Sequence, residues 1–193
     1  MLKCPSCGSA DISLVEKREN ETLLVQCDEC AHQWLRGTPR PEVAEATPPP
    51  IGERSYLLQT DGSGNGTVVN PDEGAIGVVL MDPGGNPVSG GEISRRIGPA
   101  TNNIAEYKAL IEGLRLAQLK GIKRIRVFLD SELVVDQING VSQVNAEHLK
   151  PWHDKALTLF NQFPNCRISW VPRKWNRSAD HLAARALRGP SLD

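Results

Sequence analysis

Residues 55–193 predict an α/β fold, a mixed five-stranded sheet with flanking helices, and residues 1–36 predict a second, much smaller unit. Three observations carry this. Strand-like runs come three in succession, at 56–61, 75–81 and 88–97, and only afterwards do helical and strand patterns alternate. The first long helical pattern places Tyr107, Leu110, Ile111, Leu114 and Ala117 at spacings of three and four, the period of one buried face. Four of the five cysteines fall in two CxxC pairs, Cys4-Pro5-Ser6-Cys7 and Cys27-Asp28-Glu29-Cys30.

Tyr56-Leu57-Leu58 opens the first strand of the larger unit, and Asp61 is expected to close it against a glycine-rich turn, Gly62-Ser63-Gly64-Asn65-Gly66. Asp82-Pro83-Gly84-Gly85-Asn86-Pro87 reads as a hairpin connection between the second and third strands. A helix is expected over 103–120, then a strand over 124–129 and helices over 131–139 and 147–163. A strand over 167–171 and a helix over 176–187 complete the pattern. The order βββαβααβα describes a three-stranded meander followed by helix-linked parallel strands.

At 193 residues the chain can bury one good core and carry a small appendage. No apolar run approaches the roughly 18 residues that a membrane-spanning helix needs. The opening Met1-Leu2-Lys3-Cys4-Pro5 lacks a signal-like apolar segment, so a cytoplasmic protein with no membrane association, acting as a monomer, is expected. The net charge of −1 hides an asymmetry. Residues 1–54 hold six Lys/Arg against nine Asp/Glu, which leaves +2 for the rest and a modest attraction for phosphates. Residues 37–54, with Pro39, Pro41, Pro48, Pro49 and Pro50 and few apolar side chains, read as an extended linker.

Cys4, Cys7, Cys27 and Cys30 have the spacing of a four-thiolate Zn2+ site, with hairpin strands at 12–15 and 23–26 between the two knuckles. Residues 1–36 therefore resemble a zinc ribbon. Two disulfides are the weaker alternative in a chain without an export signal. Lys17, Arg18, Trp34 and Arg36 are candidate contacts of the ribbon, although its negative charge fits a docking or architectural role nearly as well. Cys166 reads as an inert strand cysteine.

The chemistry lies in four acids spread over the larger unit: Asp61, Glu106, Asp130 and Asp180. Asp130 ends the strand Ile125-Arg126-Val127-Phe128-Leu129, Glu106 lies on the first turns of the long helix, and Asp180 on the first turns of the last one. In a mixed sheet the strands carrying Asp61 and Asp130 can be neighbours. Converging carboxylates stay ionised only around positive charge, and hard divalent cations are the usual partner. Such a cluster can hold two Mg2+ (or Mn2+) ions, one beside an attacking water and one beside a leaving 3′ oxygen, the chemistry of a metal-dependent phosphodiesterase. Each acid also has a structural alternative. Asp61 can cap the glycine turn, Asp130 the helix beginning at Ser131, and Asp180 can pair with Arg177 or complement a helix dipole, while Glu106 can be a solvated helix residue.

Thr60-Asp61-Gly62-Ser63, Thr101-Asn102-Asn103-Ile104-Ala105-Glu106, Asp130-Ser131 and Trp170-Val171-Pro172-Arg173 with Asn176-Arg177-Ser178-Ala179-Asp180 together resemble the motif set of type I ribonuclease H over residues 55–188. The resemblance implies the ribonuclease H-like sheet and an endoribonuclease that cuts the RNA strand of RNA–DNA hybrids, leaving 5′-phosphate and 3′-hydroxyl ends. It implies that Asp61, Glu106, Asp130 and Asp180 hold the two metal ions. It also implies that Asn102, Asn103 and Asn70 line the minor groove, where the 2′-hydroxyl distinguishes RNA, and that Thr101 holds a DNA phosphate. Helix capping by Asn102 or Asn103 is compatible with that role.

Two features depart from the best-known bacterial pattern of that family. The loop before the last acid, Arg173-Lys174-Trp175-Asn176, has no histidine, and Arg173 or Lys174 is expected to assist electrostatically instead. Residues 139–144 carry no basic side chain where some members have a DNA-gripping handle. Two other readings stay open: a broader nuclease that also acts on double-stranded RNA or RNA–DNA junctions, and a non-catalytic zinc-ribbon adaptor.

Overall fold

The computed structural model describes residues 12–17, 23–30, 33–36, 55–64, 73–164 and 166–188. Cys4, Cys7, Arg18, Asn70 and the expected linker at 37–54 lie outside the described residues. Near the N-terminus, β1 (Ile12–Lys17), β2 (Leu23–Cys27) and β3 (Gln33–Arg36) form an antiparallel sheet in the order β1-β2-β3. The third strand is a correction to the expected hairpin. Its four residues, Gln33-Trp34-Leu35-Arg36, are too few to show a period of two, and pairing to β2 rather than local pattern makes them a strand.

The larger unit begins with β4 (Tyr56–Ser63), β5 (Glu73–Met81) and β6 (Pro87–Pro99), an antiparallel meander. It continues through α1 (Asn102–Leu119), β7 (Ile125–Leu129), α2 (Glu132–Ile138), α3 (Lys150–Phe160) and β8 (Arg167–Trp170). A 3-10 turn at Arg173–Trp175 leads into α4 (Arg177–Arg188). The five-stranded sheet runs β6-β5-β4-β7-β8, with β7 parallel to both β4 and β8. The predicted mixed sheet is therefore present, and β4 and β7 are neighbours. The helix expected from 147 starts at Lys150, with Pro151 in its first turn, where a missing N–H costs nothing. Among the described residues no helix is long and apolar enough to cross a membrane.

Core packing explains how the helices are held. Leu58, Val78, Leu80, Tyr107, Leu110, Leu114, Val127 and Leu129 form one buried cluster between the sheet and α1. Two glycines on neighbouring rungs set the approach of the helices. A Cβ at Gly62 would lie 2.1 Å from the Ala105 carbonyl carbon and the Glu106 nitrogen, so only glycine lets α1 come down on β4 there. Gly77, paired with Asp61 across the sheet, would place a Cβ 1.9 Å from the Ala179 oxygen and 2.6 Å from the Ala183 nitrogen. Successive residues point to opposite faces of a strand, so α1 and α4 cover opposite faces of the sheet. Asp61 is thus inside β4, three residues short of the loop, rather than closing it; Gly62 and Ser63 continue the pairing with Ile76 and Ala75.

Gly77→Ala forces a methyl group into the α4 backbone. It is expected to destabilise the chain by about 1–3 kcal/mol in chemical denaturation, the usual cost of overpacking. An unchanged midpoint would show that α4 is not seated on β5 in this way.

Candidate active site

β4 and β7 pair in parallel as far as Gln59 and Phe128. Asp61 and Asp130 lie two residues further along each strand, where that pairing has ended and side chains from either face can reach between them. Glu106 enters from α1. Its backbone is pressed against Gly62, whose N–H bonds the Glu106 carboxylate. Ligand oxygens of Asp61, Glu106 and Asp130 all lie within 4.8 Å of one another. Asp61 and Glu106 are buried, at 6% and 4% exposure, and Asp130 is half-buried. Asp180, the residue after Ala179 on the seated helix, is near enough to repel Asp61, but its carboxylate accepts a hydrogen bond from the Arg173 guanidinium. The structure therefore brings three of the four predicted acids into one ligand-distance group and leaves the fourth at its margin.

Of the structural alternatives, the fold keeps one: Asp180 lies in the first turn of α4, where its charge complements the helix dipole. Ser131, not Asp130, caps α2, its hydroxyl accepting from the Val134 N–H. Asp61 is paired inside β4 with Gly77, Asp180 pairs with Arg173 rather than Arg177, and Glu106 is buried rather than solvated.

The electrostatics of this group are adverse. Burial first, then the charges of Asp130 and Asp180, push the Asp61 carboxyl from 3.8 up to about 8, with Arg173 opposing. Burial also raises Glu106 well above its ordinary range, reinforced by Asp61 and Asp130 and countered by the Gly62 N–H and Arg173. Glu106 Oε2 is buried and has no hydrogen-bond partner among the described residues. An unpartnered buried acceptor inside a cluster of like charges is costly unless a cation meets it. The donor set, all hard carboxylate oxygens, fits Mg2+ or Mn2+ on this ground.

The family model described as "Reverse transcriptase-like" matches residues 59–186. Ribonuclease HI of Halobacterium salinarum is 36% identical over 154 residues, covering 79% of this chain and 74% of that protein. The chain belongs to the ribonuclease H family. The crystal structure of ribonuclease H1 from Halobacterium salinarum superposes with a TM-score of 0.64, covering 69% of this chain and 98% of that one. A compost-derived ribonuclease H1 in complex with an RNA/DNA hybrid superposes with a TM-score of 0.61 at 37% identity, covering 69% of this chain and 97% of that one. A protein of Mycobacterium tuberculosis named as bifunctional is 37% identical over 131 residues, and this chain covers only 35% of its length.

In this ribonuclease H-family chain three of the predicted substrate residues, Thr101, Asn102 and Asn103, form the N-terminus of α1. Thr101 caps the helix, its hydroxyl accepting from the Ile104 N–H at 3.3 Å. Capping thus falls to Thr101, not to Asn102 or Asn103, which are the first two helical residues. Asn102 is half-buried and Asn103 is 4% exposed. Arg173 and Lys174 are exposed on the 3-10 turn. Partial burial works against the Arg173 charge, but Asp180, Asp61 and Asp130 outweigh it and hold the guanidinium protonated more firmly than usual.

One positioning residue escaped sequence reasoning. Asn176 is fully buried, and its Nδ2 donates to Asp130 Oδ1 at 2.7 Å and to the Thr60 carbonyl at 2.9 Å. It ties the loop before α4 to both acid-bearing strands, and the Trp170 Nε1–H adds a bond to the Asp130 carbonyl at 3.1 Å. Its signal in sequence is its place four residues before Asp180, where its carbonyl accepts from the Asp180 N–H.

The raised Asp61 pKa fixes a sign. In a metal-chelating buffer the folded chain holds a proton between about pH 4 and pH 8 that the unfolded chain has released. Stability is therefore expected to fall as pH rises through that interval, and Mg2+ added near pH 8 is expected to raise the melting midpoint while releasing protons to the buffer. Melting curves with and without chelator check this. A midpoint that climbs with pH in chelator, or that Mg2+ leaves unmoved, would contradict it.

Proposed function

We propose that the chain is a divalent-metal-dependent endoribonuclease that hydrolyses the RNA strand of RNA–DNA hybrids, leaving 5′-phosphate and 3′-hydroxyl ends. The observation that carries this is the convergence of Asp61, Glu106 and Asp130 within 4.8 Å at the end of the β4–β7 pairing. The likeness to ribonucleases HI, one of them solved on an RNA/DNA hybrid, supports the substrate class.

Asp61, Glu106, Asp130 and Asp180 are the residues that would hold two Mg2+ or Mn2+ ions. When bound, such ions supply activation of water and neutralisation of charge on the leaving 3′ oxygen. The chain's own groups supply the rest. Gly62 and Asn176 fix the Glu106 and Asp130 carboxylates, so the acids need not reorganise as charge develops. Arg173, reaching the cluster from an exposed turn, supplies a mobile positive charge at its margin in place of the family's loop histidine, with Lys174 beside it. Asn102 and Asn103 at the start of α1 offer amide groups to the minor groove, and Thr101 and Asn70 to the backbone and groove.

The second part of the proposal is a structural Zn2+ on Cys4, Cys7, Cys27 and Cys30. It is supported by the CxxC spacing and by the burial of Cys27 and Cys30 together, at 0% and 7% exposure, at the end of β2 beside a three-stranded sheet.

The experiment is cleavage of an end-labelled RNA–DNA hybrid in Mg2+ by the chain, by Asp130→Asn and by Arg173→Ala/Lys174→Ala. The parent is expected to cut the RNA strand, Asp130→Asn to bind hybrid without cutting it, and the double variant to turn over at least about ten-fold more slowly, the scale of lost electrostatic stabilisation. Hybrid bound equally by parent and Asp130→Asn, with no cleavage by either, would replace the enzyme with an adaptor.

A further inference from the structure

Apart from the acid cluster, β6, α1 and α3 enclose an open cleft of about 280 Å³. Strand β6 contributes Arg95 and Arg96, α1 contributes Lys108, Glu112 and Arg115, and α3 contributes Trp152 and Lys155. Five cations face one carboxylate there, in a chain whose total charge is −1. Glu112 is already committed to two of them, bonding Arg95 at 2.7 Å and Arg115 at 2.9 Å. Arg96 donates to the Ala186 and Leu187 carbonyls at the end of α4 and is thereby fixed in direction.

The two lysines are different. Lys108 Nζ sits 5.0 Å from the centroid of the Trp152 ring and Lys155 Nζ 5.9 Å from it. Among the described residues neither forms an ion pair, and Lys108 reaches only the Ile97 carbonyl, at 3.4 Å. Burial works against the Lys108 charge. The Trp152 ring thus holds two ammonium groups at the cleft, neither of them neutralised by a carboxylate among the described residues, and an anion seated there would meet both.

Cations drawn from three elements around an open cleft suit a run of charges better than one small ion. Lys108 and Arg115 lie two and nine residues beyond Glu106 on the same helix, which is about 3 and 14 Å along its axis. At roughly 3.4 Å per nucleotide in a strand, that is one to four steps from the acids. We propose that this cleft is a second phosphate-backbone contact, gripping a strand of the hybrid on the flank of α1 beyond the acid cluster. The inference rests on the reading of the chain as a hybrid nuclease and gives it a grip that residues 139–144, without a basic side chain, do not provide.

The test measures binding of a labelled RNA–DNA hybrid by the full chain carrying Asp130→Asn, over a range of salt concentrations. Adding K108Q and K155Q is expected to weaken binding about ten-fold and to reduce the slope of log affinity against log salt by about 2, one unit per lost phosphate contact. The charge-matched K123Q/K150Q pair, outside the cleft, and the charge-retaining K108R/K155R pair are both expected to keep the parent slope. In the cleaving chain, K108Q/K155Q is expected to raise KM by a larger factor than it lowers kcat. An unchanged slope and KM would overturn the cleft's role. Tighter hybrid binding by K108Q/K155Q would also overturn it. If the Asp130→Asn parent fails to bind hybrid and the unsubstituted chain fails to cut it, the function reading itself falls and takes this inference with it.

Discussion

Mutual repulsion among buried carboxylates is the constraint around which the larger unit is organised. Asp61 and Glu106 are nearly out of water, with Asp130 within ligand distance of both, and burial together with mutual repulsion pushes their carboxyls up. Such a cluster survives only where the surrounding structure leaves the side chains no escape. The fold does this with close backbone contacts. Gly62 lets α1 press Glu106 into the end of the β4–β7 pairing, and Gly77 lets α4 bring Asp180 to the same end from the opposite face. Asn176 then locks Asp130 to the strand that carries Asp61.

Positive charge around this site is graded. Arg173 stands nearest, bonded to Asp180 yet largely exposed, and it is drawn by three of the acids. Its exposure means that its bond to Asp180 contributes little to stability, so the arginine can move at small cost. On the flank of α1, Arg95, Lys108, Arg115 and Lys155 line one cleft with Trp152. The acids thus sit in a chain of nearly neutral total charge but beside two local concentrations of positive charge.

Much of this was legible in the sequence, for identifiable reasons. The mixed sheet could be anticipated because three strand-like runs precede the first helix, and that topology allowed, without fixing, the β4–β7 neighbourhood. The convergence of Asp61, Glu106 and Asp130 was legible because each lies at a definable place on a strand or helix. Their environment was not. Helical periodicity leaves Glu106 beside the apolar stripe, and only the absent side chain of Gly62, on another element, explains its burial. The Asp180–Arg173 pair depends on the path of a three-residue 3-10 turn that no periodicity encodes. Asn176 reads locally as a residue at a helix start, and its bond to Asp130, 46 positions away, is a tertiary fact. Trp152 reads as packing in a helix, and its two lysines come from different elements.

The most direct measurement of the central claim is anomalous X-ray scattering from crystals of the chain soaked in Mn2+. Anomalous density is expected bonded to carboxylate oxygens of Asp61, Glu106 and Asp130, with Glu106 Oε2 among the ligands. Crystals saturated with Mn2+ that show no ion among these acids, with the carboxylates protonated and bonded to one another instead, would contradict it.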